Sequence, residues 1–197
     1  TGTSNIVSFI RTQKDSFTTG GVHFDGSGDY LSLASSADFN LNTGDWTIEW
    51  WAYPTSDTQY QRYFYLVGSN ASQIEGIFAD SNGIAFGRTS VWASSAATNP
   101  LNQWNHYALV HDSTNMRLYI NGTQVLTSTD NFVDENKSLN IGYSNGTFGG
   151  HFTGQLSNFR IVKGTALYTS DFSPLMSDLT NVTNTKLLCC QDTSSTT

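Results

Sequence analysis

Charge, glutamate and cysteine are all scarce in this chain. Nine Lys and Arg stand against sixteen Asp and Glu in 197 residues, for a net charge of −7 at pH 7. Affinity for phosphate comes from clustered Lys and Arg, and none cluster here, which argues against a nucleic-acid partner and equally against an anionic membrane surface. The only cysteines are the adjacent Cys189 and Cys190. Neighbours in a strand point to opposite faces, so a disulfide framework is excluded and two reduced, partly buried thiols in a last strand are expected. No run of about eighteen apolar residues reads as a bilayer-spanning helix. No charged start followed by an apolar core reads as a secretory leader. Nor does an apolar 3.6-residue period persist beyond two turns; a short helical turn near Thr165–Tyr168 is the most the pattern grants.

What the chain does contain is enough apolar surface for one sizeable core, 38% hydrophobic and 13% aromatic residues, at a length that suits one β-sandwich better than two small domains. Ser, Thr, Asn and Gly take the surface places that charge leaves open. That suits an extracellular or virion-surface protein. Gly21–Leu33 and Trp46–Tyr53 alternate apolar and polar side chains, as half-buried antiparallel strands must. Further strand signals fall at Tyr63–Gly68, Ile74–Ala79, Ile84–Arg88, Trp104–His111, Met116–Asn121, Gln124–Thr127, Leu139–Tyr143, Phe152–Val162 and Lys186–Cys190. Asn82-Gly83, Asn121-Gly122 and Asn145-Gly146 read as hairpin turns, because both residue types tolerate positive φ. The expected fold is all-β: a two-sheet antiparallel sandwich of six or seven strands per sheet over residues 21–190, with a leading segment or linker at 1–20 and a tail at 191–197. Five N-x-S/T triplets, at Asn70, Asn121, Asn136, Asn145 and Asn181, are what this composition gives by chance.

Several stretches carry a family resemblance. Gly21-Val-His-Phe-Asp-Gly-Ser-Gly-Asp-Tyr-Leu-Ser-Leu33 with Trp46-Thr-Ile-Glu-Trp-Trp-Ala-Tyr53, then Asn102-Gln-Trp-Asn-His-Tyr-Ala-Leu-Val110, Met116-Arg-Leu-Tyr-Ile-Asn-Gly122, Leu139-Asn-Ile-Gly142 and Phe152-Thr-Gly-Gln-Leu-Ser-Asn-Phe-Arg-Ile-Val162 follow one another in order. Together they resemble the LamG-like jelly-roll domains of the concanavalin A-like lectin/glucanase superfamily, which mostly bind glycans. The tail, Asn158–Tyr168 and Asn184–Gln191, resembles LamG-like modules of structural proteins from marine, particularly cyanobacterial, phages. The resemblance implies a non-catalytic module that binds cell-surface glycan or polysaccharide on a virion or tail fibre, in contact with other virion proteins and open to self-association. The alternative is a purely structural decoration or assembly module, and the third reading is a glycoside hydrolase.

That third reading lacks its apparatus. Glycosidases place two carboxylates across the scissile bond, whereas this chain has three glutamates, Glu49, Glu75 and Glu135, and none sits in an E-x-D-x-x-E strand. Thr47-Ile-Glu-Trp-Trp51 matches a non-catalytic strand of the family. No catalytic residue is expected. The family also implies a structural calcium ion, held here by Asp25 and Gly26 on one side and Ser157 and Asn158 on the other, with neutral groups at the last two places where the family commonly has acids. The dispersed His23, His106, His111 and His151 show no metal-ligand spacing; His106 suits a core or cross-strand role, and His151 suits an exposed loop. For sugar, which needs a flat ring against a pyranose face and polar groups for its hydroxyls, the candidates are Tyr60, Arg62, Trp92, Phe148 and His151, all on expected loops. Trp46, Trp50 and Trp104 alternate as core residues should. Trp51 and Tyr53 share the other parity with Glu49, lining a face or lying under a loop.

Overall fold

The computed structural model describes residues 5–6, 20–41, 44–58, 60–68, 74–80, 83–88, 91–112, 114–129, 135–145 and 149–191. In chain order the strands are β1 (Asn5–Ile6), β2 (Val22–Asp25), β3 (Leu31–Ser36), β4 (Trp46–Pro54), β5 (Phe64–Val67), β6 (Ile74–Asp80) and β7 (Gly83–Arg88). They continue with β8 (Val91–Ser95), β9 (Asn105–His111), β10 (Met116–Ile120), β11 (Thr123–Ser128), β12 (Lys137–Ile141), β13 (Thr153–Lys163) and β14 (Thr185–Cys189). One helical element occurs among the described residues, a 3-10 turn at Ala37–Phe39 whose start is capped by the Ser36 hydroxyl accepting from Asp38 N. The turn expected near Thr165–Tyr168 is absent. There the backbone bonds instead to a strand side chain, with Leu167 N donating to Thr47 Oγ1 and Thr47 Oγ1 donating to the Thr165 carbonyl.

The strands form two antiparallel sheets. The larger runs β1-β2-β13-β4-β9-β10-β11, and the smaller runs β3-β12-β5-β6-β7-β8. Strand β13 is 11 residues long and its outer edge is shared: Thr153–Leu156 pair with β2, and Phe159–Val162 pair with β14. Strands β2 and β14 therefore lie end to end on one neighbour. Two strands differ from expectation. Asn5–Ile6, inside the segment read as a linker, pair with His23 and Val22, and Val91–Ser95, which overlap the stretch Thr89–Ala93 read as a polar loop, pair with β7 as an edge strand.

Between the sheets lies the core, centred on Trp50. Its indole stacks on Tyr107 at 5.4 Å and 8° and on Phe159 at 6.0 Å, and meets Phe64 edge-on at 5.3 Å. Such pairs add about 0.5–1.5 kcal/mol each beyond the area they bury. Trp46, Ile48, Trp50 and Ala52 face this core. The opposite parity, Thr47, Glu49 and Trp51, is buried as well, because the connection between β13 and β14 folds back over the outer face of the larger sheet. Here that connection, residues 164–184, is called the strap. Its Ala166, Tyr168 and Phe172 pack on Ala108, Val110 and Tyr119, which is why every residue of β9 is buried. Gly122, at φ +80, fixes the strap's midpoint: the Phe172 amide donates to its carbonyl at 2.9 Å, and a Cβ there would collide with the Phe172 carbonyl.

Candidate functional site

Several loops converge at the end of the sandwich where β4 finishes and β13 begins. Asp25 closes β2 opposite Thr153, and its carboxylate accepts from Ser27 N at 2.7 Å to set the following turn. The Gln61 amide reaches the same Thr153, accepting from its backbone N–H and donating to its hydroxyl, each at 3.2 Å. Gly150 presses on the Tyr60 carbonyl so closely that a Cβ would stand 2.9 Å from it. Tyr60 itself is held at φ +74. Four expected residues, Asp25, Gly26, Tyr60 and His151, thus gather on one rim.

Two rings absent from the sequence-based list complete that rim. Tyr143 and His151 face each other as an isolated antiparallel bridge, with rings stacked at 4.3 Å and 20°. Tyr30 lies on the far side of Tyr143 at 5.2 Å. All three are half-buried, as is Tyr60, so a short ladder of rings meets solvent. His151 is less open than its glycine-rich approach suggests, and its Nδ1 is buried with no hydrogen-bond partner among the described residues. The alternation of Tyr30 and Tyr143 with apolar strand residues gave no cue that both strands end at the same rim.

Other expected residues fall elsewhere. Arg62 is fully buried rather than displayed for a ligand, its guanidinium 6.0 Å from the Tyr60 ring centroid; the hydrophobic run that follows it carries it inward. Trp92 belongs to edge strand β8, opposite Gly87, with β6 and β7 between it and β5. Phe148 lies outside the described residues. Of the proposed cation ligands, Ser157 and Asn158 sit four and five residues beyond Thr153, the partner of Asp25, which at roughly 3.3 Å per strand residue places them about 13 Å or more from Asp25. Both are committed. Ser157 Oγ lies 2.9 Å from the Gly20 carbonyl and 3.1 Å from that of Cys190, and Asn158 Oδ1 accepts from Leu179 N and from the Gln191 amide. Asp25, Gly26, Ser157 and Asn158 therefore do not fit a single calcium site, and among the described residues no three His, Cys, Asp or Glu side chains are grouped to hold a metal ion.

Beneath the strap lies a charged cluster. Glu49, fully buried, accepts from Arg160 Nε at 2.9 Å and Nη2 at 2.5 Å through Oε1, and meets His106 Nε2 at 3.1 Å and the Tyr168 hydroxyl at 2.9 Å through Oε2. Arg160 Nη1 donates onward to the Thr180 carbonyl at 2.5 Å. Burial pushes the Glu49 carboxyl upward, and the bonds and charges of His106 and Arg160 outweigh it, holding the group below its ordinary 4.5. Burial and the Glu49 charge push the Tyr168 hydroxyl upward. All of these groups face one another. Arg160 is thus a clasp between sheet and strap.

Beside the clasp, on the same outer face, opens a cleft of about 290 Å³ lined by Trp51, Gln103, Trp104, Asn105 and Asn121 on the sheet side and by Pro174 and Met176 of the strap. Trp104, expected in the core, is half-buried at its wall and meets Tyr53 edge-on at 5.8 Å. The loop before it is tied down. Asn99 Oδ1 accepts from the Tyr63 and Tyr107 hydroxyls at 3.0 and 2.7 Å, Asn102 N donates to the Pro54 carbonyl, and the Asn105 amide donates to the Pro100 and Gln103 carbonyls.

The comparisons agree with this architecture. Domain 4 of AbnA, an extracellular GH43 arabinanase from Geobacillus stearothermophilus solved in complex with arabinotriose, is similar with a TM-score of 0.62 at 18% identity, over 83% of each chain. The enzymatically active domain of tailspike protein 2 from bacteriophage CBA120 is similar with a TM-score of 0.65 at 12% identity, over 98% of this chain and 32% of that one. Domains LG4-5 of the mouse laminin α1 chain are similar with a TM-score of 0.58 at 14% identity, over 84% of this chain and 44% of theirs. At these identities the likeness is one of fold. A search of curated proteins finds no match. The Laminin_G_3 model, described as "Concanavalin A-like lectin/glucanases superfamily", matches residues 25–168. That span runs from the rim turn after β2 through the clasp to Tyr168, and on it the chain belongs to the concanavalin A-like lectin/glucanase superfamily.

Proposed function

We propose that the chain is a non-catalytic glycan-binding module that engages a cell-surface polysaccharide through the rim where β2, β4 and β12 end. The observation that carries this reading is the half-open ladder Tyr30–Tyr143–His151 with Tyr60 alongside. Ring faces meet the apolar face of a pyranose, and neighbouring amides such as Gln61 serve its hydroxyls. The arabinotriose complex of the similar arabinanase domain supports a sugar as ligand, and the tailspike likeness supports a place on a phage tail or fibre. Acid–base chemistry has no support at the one carboxylate buried in the larger sheet, since Glu49 gives its oxygens to Arg160, His106 and Tyr168. A stacked ring contributes on the order of 1 kcal/mol, so adhesion comes from several copies acting together.

A glycan array probed with a fluorescent multimer tests this. Binding to at least one glycan class, reduced about tenfold by Tyr143→Ala with His151→Ala, is the expected result; no binding to any glycan refutes it. A second reading, a decoration or assembly module, draws on the exposed apolar side chains of the strap, Leu175 at 71%, Met176 at 49% and Val182 at 38%. A concentration-dependent dimer abolished by Leu175→Asp would favour it.

A further inference from the structure

The cleft on the outer face has features that the rim does not explain. Gln103 is exposed and Trp104 half-exposed at the end of a loop that five hydrogen bonds hold in place, two of them from buried tyrosine hydroxyls to Asn99. Asn102 is held at φ +56 and Asn121 at φ +51. Asn121 adds to the bracing: its amide donates to Asn105 Oδ1 at 2.9 Å, and its own Oδ1 accepts from His106 N at 2.9 Å. Two consecutive side chains are thereby aimed without being buried. Positioning rings and amides on a braced loop lowers the conformational entropy lost when a ligand arrives.

The lining says what kind of ligand fits. No charged side chain contributes to it, so neither a phosphate nor an ammonium group finds a counter-charge. Indole and thioether surfaces alternate with three side-chain amides, and the Gln103 amide makes no hydrogen bond to any described residue. A ligand that complements both is uncharged, flat on one side and ringed with hydroxyls. The volume, about 290 Å³, lies at the lower edge of the range for small-ligand pockets, enough for a ring rather than for a folded or helical partner.

We propose that this cleft is a second sugar subsite, in which a neutral pyranose stacks on Trp104 and its hydroxyls bond to the Gln103 amide, with Met176 of the strap closing the open side. The proposal rests on the glycan-binding reading but places a ring on the outer face of the larger sheet, whereas Tyr30 and Tyr143 of the ladder flank β3 and β12 of the smaller one. It is tested on the intact chain by nuclear magnetic resonance. Methyl glycosides of glucose, galactose, mannose and N-acetylglucosamine, and the matching tri- and tetrasaccharides, are titrated while the Trp104 indole N–H and the Gln103 side-chain amide are followed. Saturable shifts at both are expected with at least one sugar. Trp104→Ala should weaken that binding about tenfold and Gln103→Ala several-fold. Shifts confined to Tyr143 and His151 would overturn the cleft and leave the rim reading standing. The absence of shifts at either place would overturn both. Gln103, exposed on its loop, keeps the test valid even if the tryptophan variant folds poorly.

Discussion

The clasp and the cleft lie side by side on one face of one sheet and use the same residue types in opposite ways. At the clasp, Glu49, Arg160, His106 and Tyr168 turn their polar atoms toward one another under the strap. At the cleft, Asn99 binds the hydroxyls of Tyr63 and Tyr107 and Asn105 binds the backbone of its own loop, and the side chains that loop displays, Gln103 and Trp104, stay exposed and half-exposed. Buried polar groups are tolerable only when their bonds are made. In the first region the bonds fasten a segment; in the second they aim one. The comparison makes a general demand: substitutions at the clasp should act on stability, and those at the cleft on binding.

Glu49→Ala should break the comparison's first half hardest. It leaves the Arg160 guanidinium buried without its carboxylate, and removing one partner of a buried pair costs about 3–5 kcal/mol. Urea unfolding would measure it, and a loss below about 1 kcal/mol would show that the strap holds without the clasp. The milder Glu49→Gln sharpens the test through pH. Because the folded-state carboxyl lies below its ordinary 4.5, its contribution is fully present above that value and is lost as pH falls through the folded-state value. Wild type should therefore lose stability more steeply than Glu49→Gln below about pH 4.5. Parallel slopes at acid pH would mean that Glu49 titrates alike in both states.

How far these regions were legible in the sequence follows the same divide. Because a one-residue slip would turn every side chain to the wrong face, period-two alternation and Asn-Gly pairs place most strands of both sheets within a residue or two, though β3 runs to Ser36, three residues past the expected Leu33. Asn121 and Gly122, both at positive φ, form the turn that their types predict. Asn5–Ile6 is too short to carry a period, and Val91–Ser95 is too polar to announce a strand. The clasp did leave a signal. Glu49 between Ile48 and Trp50, and Arg160 between Phe159 and Ile161, are charges set in apolar strands, and a buried charge requires a partner. Which partner it finds depends on the pairing of β4 with β13, whose register shifts between Ser157 and Arg160, and no local pattern encodes that. Trp104 keeps the alternation of β9 but precedes its start by one residue, where the chain is still in the loop. Arg62, a basic residue beside tyrosines, has the local pattern of a surface position, and it is buried by the inward run of the strand that follows it.

A smaller effect is expected at the strap's midpoint. Gly122→Ala puts a side chain at φ +80 and against the Phe172 carbonyl, and backbone strain of this kind costs about 1–3 kcal/mol. The strap should lift locally rather than the sandwich unfold, since the core of Trp50, Tyr107 and Phe159 is untouched. Limited proteolysis would then cut within residues 169–178 faster than in wild type. Equal cutting rates, with the same loss of stability, would place the damage in the β10–β11 hairpin instead.

The smallest stability change belongs to the cleft, and it decides whether the two regions differ in kind. Gln103 is exposed and its side chain forms no hydrogen bond to a described residue, so Gln103→Ala should shift unfolding by no more than about 0.5 kcal/mol, the usual scale for a surface substitution. Asn105→Ala is its counterpart within the same loop. It removes a fully buried side chain and with it the part-buried bonds to the Pro100 and Gln103 carbonyls and to the Asn121 amide, each such bond contributing about 0.5–1.5 kcal/mol. If the loop is an aimed platform, the two variants lose sugar binding by separate routes: Gln103→Ala at unchanged stability, Asn105→Ala with a broadened Trp104 indole resonance as the ring loses its fixed position. Were Gln103→Ala as destabilising as Asn105→Ala, the exposed amide would be a brace like the others, and the cleft would be a second clasp.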